Sequence, residues 1–103
     1  MAVFLQSTLT CKGSEFAAFL EVMAEIKPIV EAAGWRLDRA FVHRTGRLNV
    51  VIDIWELDDF NAYDVGIQAL VGHPRFDAIK TILDESLISE EIVYLEKAPY
   101  ADE

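Results

Sequence analysis

Positive charge is scarce in this chain: 9 Lys and Arg residues stand against 18 Asp and Glu among 103 residues, a formal net charge of −9. A phosphate backbone or an anionic membrane surface would repel such a molecule on average, so neither nucleic acid nor membrane is expected as a partner. Cysteine is nearly absent. Cys11 stands alone, which rules out an intramolecular disulfide, and no Cys/His set has the spacing of a zinc site. Only Lys12 adjoins Cys11 as a cation, so its simplest role is a small residue at a strand end. There is no apolar run of membrane-spanning length, no low-complexity linker and no internal repeat. A Gly-rich phosphate loop, a Ser/His/Asp order and a dinucleotide fingerprint are missing too, which disfavours the enzyme classes they mark. The opening Met-Ala-Val-Phe-Leu-Gln-Ser lacks a basic n-region and a long apolar h-region, so a cytoplasmic protein is expected. At this length the chain reads as one domain with a modest core, and a second apolar surface is expected to meet another chain.

What is present is organised around Thr45–Phe60, whose middle reads as a strand. Leu48, Val50, Ile52 and Ile54 fall on one side of it, and Asn49, Val51, Asp53 and Trp55 on the other. The first face is aliphatic. The second carries an amide, a carboxylate and an indole, a set that is costly to bury unless it lines a pocket or is fully hydrogen-bonded. That second face is the candidate site.

The remaining elements follow from periodicity. Val3 to Thr10 alternates as a half-buried strand. Gly13 ends it and Ser14 offers an N-cap. A helix is then expected to about Ala33, with Phe16, Phe19, Leu20, Met23, Ile26 and Val30 inward. Pro28 predicts a kink, or a break after Ile26, and Gly34 fits the residue after the C-cap. Trp35 to Arg44 reads as a second strand with Trp35, Leu37, Arg39, Phe41 and His43 on one face, turned into the central stretch by a Thr45-Gly46 hairpin. Asp58 or Asp59 caps a second helix bearing Phe60, Tyr63, Ile67 and Leu70, which Gly72 ends. His73-Pro74-Arg75-Phe76 opens a short helix, and Leu87 to Lys97 is the last strand. The order is α+β and ferredoxin-like, a βαββαβ protomer with a four-stranded antiparallel sheet whose first and third strands are central. Helices cover one face of such a sheet, so an apolar opposite face predicts a homodimer packed sheet to sheet.

Three patterns resemble the NIPSNAP family of the dimeric α/β-barrel superfamily. They are Ile26-Lys27-Pro28-Ile29-Val30-Glu31-Ala32-Ala33-Gly34, then Gly46-Arg47-Leu48-Asn49-Val50-Val51-Ile52-Asp53-Ile54-Trp55-Glu56-Leu57, then His73-Pro74-Arg75-Phe76 followed by the final helix and Tyr94 to Tyr100. The middle one, Leu-Asn before a strand ending Trp-Glu, is the most specific, and together they cover most of the chain. The resemblance implies a single domain over residues 1–103 whose protomer pairs into a dimeric α/β barrel. That superfamily includes cofactor-free monooxygenases, lactone isomerases, haem-binding enzymes and proteins of no known activity, so membership names no reaction. Its cofactor-free monooxygenases hold an electron-rich substrate between sheet and helices with Asn, Trp and Tyr side chains, a polarity and place that Asn49 and Trp55 share by analogy. Histidine often stands in the family where this chain has Asp53, so no histidine role is carried over to that position.

Each candidate residue has two readings. Asn49 either hydrogen-bonds a ligand carbonyl or phenolate, or satisfies backbone groups at the hairpin end. Asp53 is expected first as a buried ion pair with Arg36, Arg39 or Arg75, and second as an acid/base group. Trp55 and Tyr63 are core residues that can also wall a substrate site. His73 caps its helix, and with Arg75 beside it also forms an anion-binding corner. His43 is a solvated strand-end residue. No histidine has a metal-ligand partner within its own element, so no metal is expected, whereas haem needs a single axial histidine and stays open. The expected function is a homodimeric protein acting, without a cofactor, on a small aromatic or cyclic carbonyl compound as a monooxygenase or isomerase. Asn49, Trp55, Tyr63 and Arg75 would bind the substrate, and Asp53 or His73 would move a proton. The alternative is a non-catalytic binding or assembly module on the same fold.

Overall fold

The alternation read in the first strand is realised in β1, Val3–Cys11, where Leu5, Ser7, Leu9 and Cys11 are buried and Phe4, Gln6 and Thr8 on the other face are half-buried. In the computed structural model, which describes residues 2–101, β1 pairs antiparallel with both β3, Val50–Leu57, and β4, Leu87–Leu95. The strand β2, Arg36–Val42, flanks β3, and the sheet order is β2-β3-β1-β4 with the first and third strands central. Helices α1 (Phe16–Ala32), α2 (Asn61–Val71) and α3 (Phe76–Ser86) pack on the face that carries Leu5, Trp55 and Leu57.

A turn of 3-10 helix at Gly13–Glu15 leads into α1, with no side-chain cap, and Phe19, Val22, Ile26 and Val30 form its buried stripe. Leu20, expected inward, is 41% exposed, because the stripe runs through Val22 instead. Pro28 does not break α1. It lies on the exposed side, where the carbonyl of exposed Ala24 that loses its N–H partner can bond to water. The helix ends in a Schellman motif: Gly34 at φ +110° donates its N–H to the Glu31 carbonyl, and the Trp35 N–H bonds the Val30 carbonyl at 3.1 Å. This turn delivers Trp35 into the core beside Val30.

Two local irregularities shift expected faces. A bulge at Asp38 breaks the register of β2 between Leu37 and Arg39, so Leu37 shares a face with Trp55 while Arg39 and Phe41 pair with Ile54 and Ile52 on the opposite side. The single face expected for Leu37, Arg39 and Phe41 is therefore split in two. β3 starts at Val50, leaving Leu48 and Asn49 in the connection, and Asn49 adopts φ +64°. The β2–β3 link is accordingly longer than a two-residue hairpin, with Gly46 at φ +70° inside it. Asp59 caps α2 as expected, its Oδ1 accepting the Ala62 N–H at 3.1 Å.

Away from the helices the sheet presents Phe4, Phe41, Ile52, Ile54, Val93 and Leu95, of which Phe41 and Val93 are 53% and 51% exposed. No helix among the described residues is long and apolar enough to cross a membrane.

One close approach locks the two ends of the helical layer together. Gly66 on α2 is buried against Trp35, and a Cβ there would collide with the indole Nε1, Cε2 and Cδ1. Gly66→Ala is expected to destabilise by about 1 to 3 kcal/mol, as overpacking does. Urea unfolding measures this, and a blue- or red-shifted tryptophan emission in the folded variant reports displacement of the ring.

Candidate small-molecule cavity

Asp53 sits in mid-strand on the helix-facing side of β3, between Ser7 of β1 and Ala40 of β2. Its flanking partners are small, so the carboxyl has space around it, yet it is only 4% exposed. None of the three arginines expected to neutralise it does so. Arg36 bonds Asp58 at 3.0 Å and lies 3.7 Å from Glu56, Arg39 pairs with Asp38 at 3.1 Å, and Arg75 with Glu25 at 2.6 Å. The reason is geometric: Arg36 and Arg39 belong to the opposite sheet face by register, and Arg75 lies at the helix surface. Burial without a cation pushes the Asp53 carboxyl up from an ordinary 3.8 to about 6, and the Trp55 indole, as a hydrogen-bond donor, opposes this only in part.

Around that carboxyl lies a cavity of about 100 Å³ between sheet and helices. Its aromatic wall is built by Trp35, Trp55 and Tyr63. Trp35 stacks on Tyr63 at 5.6 Å between centroids and meets Trp55 edge-on at 5.4 Å. The Trp35 Nε1 donates to the Ala62 carbonyl at 2.8 Å, which holds the ring in place and removes its donor from the cavity. Ser7 and Glu90 add a hydroxyl and a second carboxyl, and the rest of the lining is largely aliphatic. Partial desolvation raises the carboxyl of Glu90, which is otherwise exposed on β4, and desolvation together with the nearby Glu90 charge raises the Tyr63 phenol, so Tyr63 stays a hydroxyl donor. The volume is of the order of the ~150 Å³ that accommodates benzene in an engineered core. On the β4 side Ile92 and Tyr94 face the helices but remain 40% and 43% exposed, so the helical layer leaves this edge open. A second cavity, about 200 Å³, reaches Asp53 and Trp55 from the β2 edge, with Lys27 in its lining.

The six expected site residues divide into two groups. Asp53, Trp55 and Tyr63 line the same cavity. Asn49, His73 and Arg75 do not. Asn49 sits past the strand end, its carbonyl accepting the Cys11 N–H at 2.9 Å and its side-chain amide close to Gly13. His73 faces a shallow groove on the outer side of α1 and α2 with Glu25 and Pro28, and its Nδ1 accepts the Arg75 N–H at 3.1 Å. Both fork nitrogens of Arg75 are engaged by Glu25, at 2.6 and 3.1 Å, so that corner is already neutralised. Of the polar and aromatic cavity residues, three were missed: Trp35, Ser7 and Glu90. Gly34 followed by Trp was the usable signal for Trp35, because a Schellman turn places the following residue against the helix. Nothing local distinguishes Glu90 from Glu91. Among the described residues no group of three His, Cys, Asp or Glu side chains could hold a metal ion.

A four-stranded antiparallel sheet in β2-β3-β1-β4 order with helices on one face defines an α+β ferredoxin-like fold. The profile of the NIPSNAP family matches residues 6–96, and the chain belongs to that family. Among solved structures, a NIPSNAP domain protein from Burkholderia xenovorans is 21% identical at a TM-score of 0.76, with 100% of each chain covered. A NIPSNAP family protein from Agrobacterium tumefaciens is 17% identical at 0.81, covering 97% of this chain and 91% of that one. SnoaB, a cofactor-independent oxygenase from Streptomyces nogalater, is 19% identical at 0.69, covering 99% and 98%. At these identities the likeness is one of fold. No curated protein matches the chain.

The charge state of Asp53 makes a stability prediction whose sign is opposite to that of a buried ion pair. A carboxyl whose folded-state pKa is raised favours folding while protonated, so its contribution is present below its unfolded value and is lost as pH rises through about 6. The full loss for a shift from 3.8 to about 6 is about 3 kcal/mol. Asp53→Asn is therefore expected to match the parent near pH 4 and to exceed it at pH 8 by an amount approaching that figure. Denaturant unfolding at the two pH values measures it, and destabilisation at pH 8 would restore a salt-bridge partner.

Proposed function

We propose that this chain binds a small aromatic or cyclic carbonyl compound in the cavity beside Asp53, and that Asp53 is the group that moves a proton there. The observation that carries the reading is a carboxyl at 4% exposure, with no cationic partner among the described residues and a pKa near 6, opening onto a wall of three aromatic rings. A base poised near neutrality suits proton abstraction next to a carbonyl. In the charged form Asp53 takes that proton and leaves an enolate, for whose oxygen the lining residues Ser7 and Tyr63 carry hydroxyl donors. Return of the proton at a neighbouring carbon completes an isomerisation. With dioxygen as co-substrate, the enolate carbon instead bonds to O2 and reduces it to a hydroperoxide, whose O–O bond then breaks with loss of the remaining α-hydrogen, leaving a new carbonyl on that carbon and the second oxygen atom as water. Neither route needs a resident cofactor, and the fold likeness to a cofactor-independent oxygenase supports the second. In this reading Asn49, His73 and Arg75 play no part in the chemistry, and the protein works in the cytoplasm.

The same proposal includes a homodimer formed through the helix-free sheet face. Phe4, Phe41, Ile52, Ile54, Val93 and Leu95 form an apolar patch there, and burying each such side chain contributes roughly 1.5 to 3 kcal/mol against the entropy of association. A non-catalytic assembly module would use this face too, so the dimer does not by itself favour an enzyme.

Trp35 and Trp55 are the only tryptophans and both line the cavity, so tryptophan emission reports on its occupation, and loss of the response in Ile67→Phe separates it from the β2-side cavity, which Ile67 does not line. A screen of single-ring ketones, phenols and quinones is expected to give saturable emission changes that Ile67→Phe, which narrows the cavity, weakens. Asp53→Asn should slow hydrogen–deuterium exchange next to the carbonyl of a bound ketone by roughly 10²-fold or more, the usual weight of a general base. Absence of any saturable response would remove the small-molecule reading. For the dimer, sedimentation at micromolar concentration should show a parent dimer and monomeric or aggregated Ile52→Asp, which places a charge in a dry interface; a monomeric parent would refute it.

A further inference from the structure

Resting on the reading that the cavity is a ligand site, we infer that the one-ring carbonyl compound it prefers also carries a positive charge, a protonated or quaternary amine on the same small ring. The lining determines this. Asp53 reaches the cavity from β3, Glu90 from β4 and the Tyr63 phenol from α2, while α1 contributes Met23, Ile26 and Val30, and α3 contributes Leu83. No Lys, Arg or His lines it. Lys27 lines the β2-side cavity that also reaches Asp53, and it is held by Glu31 at 3.1 Å.

A carboxyl that is 4% exposed and unmatched by any cation among the described residues is an incomplete ion pair. A cation entering the cavity completes it and keeps Asp53 charged. Trp35, Trp55 and Tyr63 line the same space, and aromatic rings are favourable neighbours for an organic cation whose hydration shell is weak. Glu90, on the open β4 side, provides a second negative group near the mouth. The net charge of −9 raises the local concentration of cations and lowers that of anions, so the field of the whole molecule acts in the same sense. Size sets the other scale, since about 100 Å³ is of the order of a single small ring.

A cation and a neutral carbonyl compound couple to opposite protonation states of Asp53, and this separates them. The cation binds the carboxylate, so its affinity rises with pH through the titration of Asp53. A ketone that accepts a hydrogen bond from the protonated acid loses affinity over the same range. The probes are cyclohexylammonium, charged at both pH 5 and pH 8, and cyclohexanone, its neutral one-ring counterpart, each titrated into the full chain by calorimetry and tryptophan emission. With the Asp53 carboxyl titrating near pH 6, cyclohexylammonium is expected to bind about ten-fold tighter at pH 8 than at pH 5. Asp53→Asn should abolish that pH dependence and weaken binding ten-fold or more, and Glu90→Gln should weaken it a few-fold. Cyclohexanone binding where cyclohexylammonium does not, or ammonium binding that is indifferent to pH and to Asp53→Asn, overturns the inference and leaves the ligand site standing. Binding of neither probe overturns both.

Discussion

The indole of Trp35 laid against the bare backbone of Gly66 is the contact on which the rest of the arrangement depends. It joins the C-terminal end of α1, the start of β2 and the middle of α2 in one place. Its ring position follows from three constraints acting together: the left-handed turn at Gly34, the missing Cβ at Gly66 and the hydrogen bond to the Ala62 carbonyl. With the ring so held, Tyr63 stacks on one side and Trp55 meets it edge-on, and the space left over is the cavity. A bulkier α2 residue at position 66 would have to move the ring, and the cavity wall would move with it. Packing and site therefore share the same side chains.

Electrostatics within that frame run against stability. A carboxyl buried on a sheet face is ordinarily matched by a cation, and here the nearby arginines are matched elsewhere by Asp38, Glu56, Asp58 and Glu25. The fold thus retains a destabilising group at neutral pH where a cavity and three aromatic rings converge. Local rules of stability are broken most often where a site needs the strain. By contrast the exposed pairs Lys27–Glu31 and Lys80–Asp84 follow the helical four-residue spacing and do no more than solvate the surface.

The two faces of the sheet carry different tasks. Helices on one side enclose the acid and the rings, while the other side keeps Phe41 and Val93 more than half exposed. Among the described residues no helix packs on that second face. The bulge at Asp38 sharpens the division, because it moves Arg39 and Phe41 away from the helices and leaves Ala40, a small residue, beside Asp53.

The sequence by itself determined the element order, the central strands, the helix-terminating Gly34 and the face of β3 that holds Asp53 and Trp55. These depend on periodicities of two and 3.6 residues and on single-residue backbone preferences, all of which are local. Tertiary structure alone decided what Asp53 lacks and what surrounds it. Whether an arginine meets a carboxylate depends on cross-strand register, and one unpaired residue at Asp38 reversed it for the rest of β2. Asn49 left the strand by adopting a positive φ, a position open to asparagine that alternation does not reveal. His73 and Arg75 could be read as a helix start, but the side of the helical layer on which they open is set by how α1 and α3 pack. Glu90 and Trp35, separated by more than fifty residues, meet at the cavity because antiparallel pairing folds β4 back along β1, and proximity made in that way is a property of the assembled sheet.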